Sequence, residues 1–438
     1  MDIKELYSLF QKSAGVTTDS RQCKPNMIFF ALRGENFNGN EFAGKAIERG
    51  CLAAIIDDCT YFNPVNSKLI LVDNVLKCLQ ALAKKHRQII GLPIIGITGT
   101  NGKTTTKELI AGVLGKFFNI IATEGNLNNS IGVPLSLLKI EPKHEYAIVE
   151  MGASHRGDIE ELVNITEPNY GIITNVGKAH LQGFGSLQNI IATKSELFNY
   201  LRDREKSIVF INGDDTELIR MASGLNLFKY GACKEINNYH VNGCVTANNP
   251  FMQFIWRVKE GPKHLVNTKL VGSYNITNVL AAVAVGLYMN VPEELINLAL
   301  SQYEPKNNRS QLIITKKNRL IVDSYNANPS SMEAAIENFY NSNLENKMII
   351  LGDMRELGES SLEEHKNILN SLYYYNFSDV FLVGSEFTKA GMDNSLGFRY
   401  FLSADDVKFE FSNNPVEGRS ILIKGSNSIN LSQLSTVL

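Results

Sequence analysis

The sequence predicts an α/β protein of three domains, and three observations carry that expectation. The chain has 438 residues, too many for a single core and enough for roughly three domains of about 150 residues each. Through its second and third portions, short apolar runs alternate with helix-length segments, the pattern of strands and covering helices in a parallel sheet. Two breaks interrupt that pattern, Gly91-Leu92-Pro93 and the polar stretch 303–309, and they divide the chain into 1–90, 91–304 and 305–438.

Taken in order, the first portion is mixed α/β, with β-rich runs at 27–32 and 53–57 around a helical stretch near 41–49. Asn38-Gly39 predicts a turn. Apolar residues at Val75, Leu76, Leu79, Leu82 and Ala83 predict an amphipathic helix over 75–87. The second portion opens on Ile94-Ile95-Gly96-Ile97, a buried strand, then a glycine-rich turn and a helix through Leu109, Ile110, Val113 and Leu114. Further strands are expected at 146–149, 171–174 and 208–211, paired in parallel, before an alanine-rich helix over 276–289 and a helix after Pro292. In the third portion, strands at 320–323, 348–351, 380–383 and 421–424 alternate with helices near 331–340 and 362–375, again with parallel pairing. No internal repeat or low-complexity tract is present.

The bulk numbers exclude several classes of function. Residues are 44% hydrophobic and 20% charged, and 43 basic side chains nearly cancel 45 acidic ones, so no net attraction to nucleic acid or an anionic membrane is expected. The start, Met1-Asp2-Ile3-Lys4-Glu5, lacks a signal-peptide core, and no stretch approaches the ~20 apolar residues that span a bilayer. A cytoplasmic protein without membrane insertion is expected. Cys23, Cys51, Cys59, Cys78, Cys233 and Cys244 are scattered without C-x-x-C spacing, which predicts neither a disulfide framework nor a structural zinc site.

The sharpest signal runs from Gly96 through Ile97, Thr98, Gly99, Thr100, Asn101, Gly102, Lys103, Thr104 and Thr105 to Thr106, between a strand and a helix. Glycines let backbone N–H groups close around phosphates, Lys103 adds positive charge, and the helix N-terminus adds its partial charge. Thr104 is placed to bind magnesium. Strict Walker spacing fails, because the residue five before Gly102 is Ile97, and the bland alternative is a Gly-Thr turn with an incidental lysine. A magnesium-binding threonine wants a carboxylate, and Glu150 ends the run Tyr146-Ala147-Ile148-Val149 where a strand edge would meet the loop; its alternative is a solvated strand-end glutamate. The absence of an Asn-Lys-x-Asp element favours ATP over GTP. No persuasive Ser-His-Asp or Cys-His set suggests a side-chain nucleophile.

The loop Gly99-Thr100-Asn101-Gly102-Lys103-Thr104-Thr105-Thr106 resembles that of the Mur ligase family and its folylpolyglutamate synthetase relatives. The segment TEGNLNNSIGVPL at 123–135 resembles the branch of that family which joins D-alanyl-D-alanine to a UDP-muramoyl-tripeptide. So do Asp323-Ser324-Tyr325-Asn326-Ala327-Asn328-Pro329-Ser330-Ser331 and Leu351-Gly352-Asp353-Met354-Arg355-Glu356-Leu357-Gly358-Glu359. Val149-Glu150-Met151-Gly152-Ala153 is similar to the family's metal-binding strand, and Asn175-Val176-Gly177-Lys178-Ala179-His180 to the segment giving a second metal ligand. Ala192-Thr193-Lys194-Ser195-Glu196-Leu197-Phe198 resembles the segment with a carbamylated lysine.

The resemblance implies an N-terminal mixed α/β domain binding a UDP-sugar, a central P-loop ATPase domain with a parallel sheet, and a C-terminal Rossmann-like α/β domain. It also implies ATP, two magnesium ions and carbamylated Lys194, with Thr104, Glu150, His180 and Lys194 at the metals and Lys103, Lys194, His180 and Glu150 in the catalytic centre. Nucleotide contacts are implied for Gly99, Thr100, Asn101, Gly102, Lys103, Thr104, Thr105, Asn275, Asn278, Arg309 and Asp323, although helix-capping asparagines would look similar at Asn275 and Asn278. Substrate contacts are implied for Ser20 and Arg21, for Asn126, Asn128 and Asn129, and for Tyr325, Asn326 and Asn328. The implied reaction extends UDP-N-acetylmuramoyl-tripeptide with D-alanyl-D-alanine through an acyl phosphate, giving the pentapeptide of peptidoglycan synthesis, with the enzyme a monomer. Two departures stand out. Asn38-Gly39-Asn40-Glu41-Phe42 replaces a usual Asp-Gly-His before an acid and Phe, and Lys424-Gly425-Ser426-Asn427-Ser428 lacks the arginine that often follows Lys-Gly-Ser. The segments near Gly91 and from Glu304 to Asn308 are the candidate hinges.

Overall fold

The computed structural model describes residues 2–232, 239–306, 308–392 and 397–438; Cys233, and Asn307 of the second candidate hinge, lie outside them. The first domain contains α1 (Ile3–Gln11), β1 (Val16–Thr17), β2 (Ile28–Phe30), β3 (Arg33–Gly34), β4 (Phe37–Asn38), α2 (Ala43–Glu48), β5 (Ala53–Ile56), β6 (Leu69–Leu71) and α3 (Val75–Ile90). Four strands form a parallel sheet in the order β1-β2-β5-β6, while β3 and β4 make a separate ribbon. The turn expected at Asn38-Gly39 takes the form of a helix start. Asn38 ends β4, and its side chain accepts from the Asn40 N–H to cap a short 3-10 helix, Gly39–Phe42.

The middle domain runs through β7 (Ile94–Thr98), α4 (Lys103–Leu114), β8 (Ile120–Ala122), α5 (Gly132–Leu137), β9 (Tyr146–Glu150), α6 (Asp158–Thr166), β10 (Tyr170–Ile173), α7 (Leu181–Phe184), α8 (Leu187–Arg202), β11 (Ile208–Asn212), α9 (Thr216–Met221) and β12 (Leu227–Gly231). It continues with β13 (Val241–Asn248), β14 (Phe251–Arg257), β15 (His264–Val271), α10 (Ile276–Tyr288) and α11 (Glu293–Gln302). Its strands lie in the order β15-β14-β13-β12-β11-β10-β7-β9-β8. Pairing is parallel from β13 to β8, as expected, but β13, β14 and β15 form an antiparallel meander that corrects the purely parallel expectation. Every residue of β7 is buried, because helices cover both faces. One of them, α10, is buried continuously from Asn278 to Gly286 against α4 and the sheet, so it is apolar all round rather than striped.

In the third domain, β16 (Gln311–Ile314), β17 (Arg319–Asp323), α12 (Pro329–Asn341), β18 (Lys347–Gly352), α13 (Ser361–Tyr374), β19 (Val380–Val383), α14 (Ser385–Gly391), β20 (Arg399–Phe401), α15 (Ala404–Asn413) and β21 (Ser420–Lys424) build a sheet of order β16-β17-β21-β18-β19-β20. All neighbours are parallel except β16 and β17.

The junction at Gly91 is not a loose hinge. Gly91 caps α3 in the left-handed region, at φ 72°, and α3 is fastened to the middle domain just before it. The buried Arg87 donates to Thr166 O (2.9 Å), Glu167 O (3.0 Å) and Asn169 Oδ1 (3.1 Å), and His86 Nε2 lies 2.8 Å from Ile140 O. Core residues of the two domains, such as Leu79 and Leu82 with Val133 and Leu137, form one continuous cluster.

Candidate active site

The phosphate-loop candidate occupies the point where strand order reverses, since β7 lies between β9 and β10, the position where open α/β sheets bind ligands. Two of its glycines are conformational necessities. Gly99 (φ 140°) would place a Cβ 2.0 Å from Thr174 Oγ1, and Gly102 (φ 79°) one 2.7 Å from Asn278 Oδ1. The loop is pinned to the end of β10: Thr174 Oγ1 donates to Asn101 O (2.6 Å), Asn101 N to Asn175 Oδ1 (3.0 Å) and Thr100 N to Asn175 O (3.0 Å). Lys103 Nζ folds over the loop and donates to Gly99 O (2.7 Å) and Thr100 O (2.9 Å). Burial holds its pKa below the ordinary lysine value, with the Glu150 charge opposing.

Parallel register sets Ile97 beside Glu150, so β9 delivers its terminal carboxylate to the first turn of α4. Glu150 is 2% exposed. Its Oε2 accepts from Thr104 Oγ1 (2.9 Å) and its Oε1 from Asn128 Nδ2 (2.9 Å), while its N–H donates to Thr123 Oγ1 (3.0 Å). Buried Lys107 fixes the same Thr123 through a 2.7 Å bond to its carbonyl. A hydroxyl and a carboxylate side by side are hard oxygen donors of the kind magnesium takes. Among the described residues no three His, Cys, Asp or Glu side chains converge to form a cage; magnesium commonly uses one or two protein carboxylates and takes its remaining ligands from phosphates and water.

His180 caps α7 at φ 50°, and its Nδ1 lies 2.5 Å from Glu356 Oε2; the imidazole holds the Glu356 carboxyl below the usual glutamate range. Lys194, on α8, is 2% exposed. Burial lowers its pKa to about 7, the Lys103 charge adds to the shift, and Asp158 and Glu196 oppose it. Its ammonium sits 5.7 Å from the Phe184 ring centroid and has no hydrogen-bond partner among the described residues.

The third domain closes the site. Asn328 caps α12 by accepting from Ser331 N (2.9 Å), and its Nδ2 donates to Asn101 Oδ1 of the phosphate loop (2.8 Å). Lys178 pairs with Glu364 at 2.7 Å, and Gln182 N donates to Glu356 O at 3.0 Å. The Arg309 guanidinium stacks 3.7 Å over the Tyr325 ring. Asp323 accepts from Ser310 N (3.1 Å) and from Lys424 Nζ (2.6 Å).

Together the middle and third domains enclose a cavity of about 890 Å³. It gathers Thr100, Asn101, Gly102, Lys103, Thr104, Thr105, Glu150 and His180 with Asn126, Asn128 and Asn129, and sets Arg309, Asp323, Tyr325, Asn326 and Asn328 opposite. Asn275 and Asn278 also border it, yet neither is a side-chain helix cap. Asn275 Nδ2 donates to Val271 O (2.9 Å), Asn278 Nδ2 to Asn275 Oδ1 (2.9 Å), and Thr106 Oγ1 to Asn278 Oδ1 (3.0 Å). Gly99 and Lys194 are not among its lining residues, and neither is any described residue of the first domain. Ser20 and Arg21 form a short 3-10 turn on the first domain, with Arg21 87% exposed and paired with Asp19. The departures Asn38 and Asn40 serve the fold: the fully buried Asn40 donates to Asn38 Oδ1 (2.8 Å) and Asp57 Oδ1 (3.0 Å), and accepts from Asp57 N (3.0 Å).

Known proteins share this fold. Residues 12–87 match the Mur ligase family catalytic domain, 97–286 the Mur ligase middle domain and 308–427 the Mur ligase glutamate ligase domain. The UDP-N-acetylmuramoyl-tripeptide--D-alanyl-D-alanine ligase of Bacillus subtilis is 33% identical over 439 residues, covering 96% of this chain and 92% of that one. The chain belongs to the Mur ligase family. The corresponding ligase of Buchnera aphidicola subsp. Baizongia pistaciae is 34% identical over 94% of this chain and 89% of its own length. A crystal structure of MurF from Acinetobacter baumannii superposes with a TM-score of 0.87 at 27% identity, over 99% of this chain and 97% of that one. This Mur ligase thus has the family's three-domain, mixed α/β fold.

Sequence reasoning missed several residues that the structure brings to the candidate site: Lys107 and Thr123 beneath Glu150, Glu356 against His180, and Lys424 beside Asp323. Glu356 and Lys424 lay in segments already singled out, and their position at loop or strand ends was the available signal. Nothing in the spacing of Lys107 distinguishes it from a surface lysine of an amphipathic helix.

Proposed function

We propose that this Mur ligase is an ATP-dependent amide-forming enzyme that joins D-alanyl-D-alanine to UDP-N-acetylmuramoyl-tripeptide and yields the UDP-muramoyl-pentapeptide used for peptidoglycan. One observation carries the reading: the phosphate loop and the Tyr325 to Asn328 loop face each other across one cavity and touch through Asn101 and Asn328. The three spans 1–90, 91–304 and 305–438 divide the work among the UDP-muramoyl end, ATP and the dipeptide. Ser20 and Arg21 lie outside the cavity, which suits a substrate long enough to hold its nucleotide on the first domain while its peptide carboxylate reaches the phosphates.

In this scheme the tripeptide carboxylate attacks the γ-phosphorus, the bond to the β-phosphate oxygen breaks, and an acyl phosphate and ADP result. The dipeptide amine then attacks the acyl carbon. The tetrahedral intermediate expels phosphate and the amine loses its proton. Gly102, Thr104 and Thr105 offer the phosphates backbone N–H groups, Gly99 and Thr100 shape the loop behind them, Lys103 offsets the phosphate charge, and Arg309, Asp323, Asn275 and Asn278 bound the nucleotide. Asn126, Asn128 and Asn129 face the tripeptide; Tyr325, Asn326 and Asn328 face the dipeptide. Two magnesium ions, held by Thr104, Glu150, His180 and a carbamylated Lys194, would neutralise phosphate charge.

Carbamylation is chemically reasonable at Lys194. An amine pushed to about pKa 7 is substantially neutral at physiological pH, as attack on CO2 requires, and the nearby Lys103 charge favours the resulting anion. Closing the domains shields the acyl phosphate from water. The reading takes the enzyme as a cytoplasmic monomer. No helix among the described residues is long and apolar enough to cross a membrane.

The test is a panel of amine acceptors offered with ATP, magnesium, bicarbonate and UDP-muramoyl-tripeptide, read as phosphate release and product mass. Phosphate release that depends on D-alanyl-D-alanine, with the pentapeptide as product, is expected. Dependence on glutamate or a diamino acid instead overturns the reading.

A further inference from the structure

The dipeptide brings two charged ends to the site. Its amine must be free to react, and its carboxylate must lose water as the domains close, which is unfavourable unless a donor replaces that water. Among the described residues, four side chains able to carry positive charge line the cavity: Lys103, His180, Arg309 and Lys424. Lys103 is spent on the phosphate loop and its own carbonyls, His180 faces Glu356, and Arg309 lies flat on Tyr325. Lys424 differs from all three.

It ends β21, the strand between β17 and β18, so it emerges at the carboxyl edge of the sheet in direct register with Asp323. Although it lines the cavity, it is only 2% exposed. Its ammonium is held 2.6 Å from Asp323 Oδ2 and 3.4 Å from the carbonyl of Asn326. An ammonium has three donors; one is committed to Asp323 and one points weakly at Asn326 O, which leaves capacity on the cavity side. Beside it, Asn326 uses its side-chain oxygen to accept from Ala327 N (2.8 Å), and its amide NH2 has no partner among the described residues. A buried cation and a neighbouring free amide form a donor pair that fits a carboxylate.

We propose that Lys424, assisted by the Asn326 amide, binds the carboxylate of the incoming dipeptide and so selects acceptors with a free C-terminal carboxyl. This assignment rests on the function proposed above. It makes Asp323 an orienting partner: the carboxylate holds the Lys424 ammonium extended toward the Tyr325 to Asn328 loop. The terminal carboxylate is thereby anchored in the third domain, and the amine at the other end of the dipeptide is left to face the acyl phosphate on the middle domain.

The experiment compares D-alanyl-D-alanine with its C-terminal amide as acceptors for the full-length wild type and for Lys424→Met and Lys424→Gln, reading kcat/KM for the acceptor and KM for ATP. Expected in the wild type is a preference for the acid of about 10- to 100-fold, the range a charge-assisted hydrogen bond confers. In both variants that preference should shrink toward unity because the acid loses far more rate than the amide, while any shift in KM for ATP transmitted through Asp323 is common to both acceptors. A wild type indifferent to the amide overturns the assignment without any variant. Variants that lose acid and amide turnover equally overturn it as well, since that is the mark of a merely structural Lys424–Asp323 pair. Should a variant fail to fold by circular dichroism, the wild-type comparison and Asn326→Ala, expected to weaken the acid preference in the same direction, decide the matter. An enzyme that uses neither acceptor refutes the proposed function, whereas one that uses both equally refutes only the role of Lys424.

Discussion

The contact between Asn101 and Asn328 makes a prediction that separates fold stability from domain closure. Asn328 has two tasks: its Oδ1 caps α12 through Ser331 N at 2.9 Å, and its Nδ2 bridges to Asn101 Oδ1 at 2.8 Å. The return bond from Asn101 Nδ2 is long, 3.4 Å, so the bridge counts as one neutral hydrogen bond, about 1 kcal/mol net. Loss of the cap costs about 1 kcal/mol in addition. Asn328→Ala removes both; Asn328→Ser keeps a good cap but is too short to reach Asn101; Asn101→Ala removes only the bridge. Because the bridge joins two domains and the cap lies within one, only the cap's share enters the melting of the third domain: differential scanning calorimetry should show Asn328→Ala melting about 2–4 °C lower, with Asn328→Ser and Asn101→Ala close to wild type. Steady-state ligation should show kcat/KM reduced about fivefold in each of the two bridge variants, the factor matching about 1 kcal/mol. Because both substitutions sever the same bond, the double variant Asn101→Ala/Asn328→Ser should fall no further than either single one, a coupling of about 1 kcal/mol. Independent losses that multiply to about 25-fold, or an Asn328→Ser protein as thermolabile as Asn328→Ala, would refute the idea that this bond reports closure.

Other expectations follow from the same geometry. Lys103→Ala and Lys194→Ala should each cut ligation by more than about 100-fold while circular dichroism remains unchanged, and intact-protein mass spectrometry in bicarbonate should find one added CO2 on the wild type that is missing from the Lys194 variant. Glu150→Gln cannot present an acceptor to both Thr104 and Asn128, so the magnesium concentration for half-maximal rate should rise about tenfold or more; an unchanged magnesium titration would count against Glu150 as a ligand. Stability should fall on acidification through His86, whose pKa burial holds below 6.5. The unfolded chain then binds more protons than the folded one, so ΔG of unfolding decreases as pH drops below about 6.5 and levels off beneath the folded pKa. Buried His365 acts in the same direction. His86→Gln should flatten the slope of Tm against pH between 7 and 5 relative to wild type; an identical slope would remove His86 as a contributor.

The parts of this molecule that were legible in the sequence share one physical property: their signal is local. Strands such as β7 and β19 are buried along their whole length and therefore read as unbroken apolar runs. The phosphate loop was legible because its glycines are required by its own backbone and by side chains at 2.0 and 2.7 Å. Glu150 was legible because a strand end is a place, and parallel pairing brings that place to the loop. The β13 to β15 meander escaped for the complementary reason. Those strands have one solvated face, with alternation such as that of His264–Val271, and a search for continuous apolar runs passes over a period of two.

What stayed invisible depends on register between distant segments. Lys424 meets Asp323 across 101 positions and Asn328 meets Asn101 across 227, and no spacing within either segment encodes those separations. The two asparagines Asn275 and Asn278 show the limit from the other side. Their residue type and interval were apparent, but whether their amides are spent on Val271 and Thr106 is decided by how α10 lies against α4. In the proposed nucleotide site, a base would engage only the hydrogen-bonding capacity those internal bonds leave over. The pair's first role is to hold the close approach at Gly102, where any larger residue would strike Asn278. Thr106→Val tests this order of roles: it deletes the hydroxyl that donates to Asn278 Oδ1 without touching the cavity. If the bond fixes the loop, the variant should raise KM for ATP severalfold, whereas an unchanged KM would mean that Gly102 and the base site are positioned independently of it.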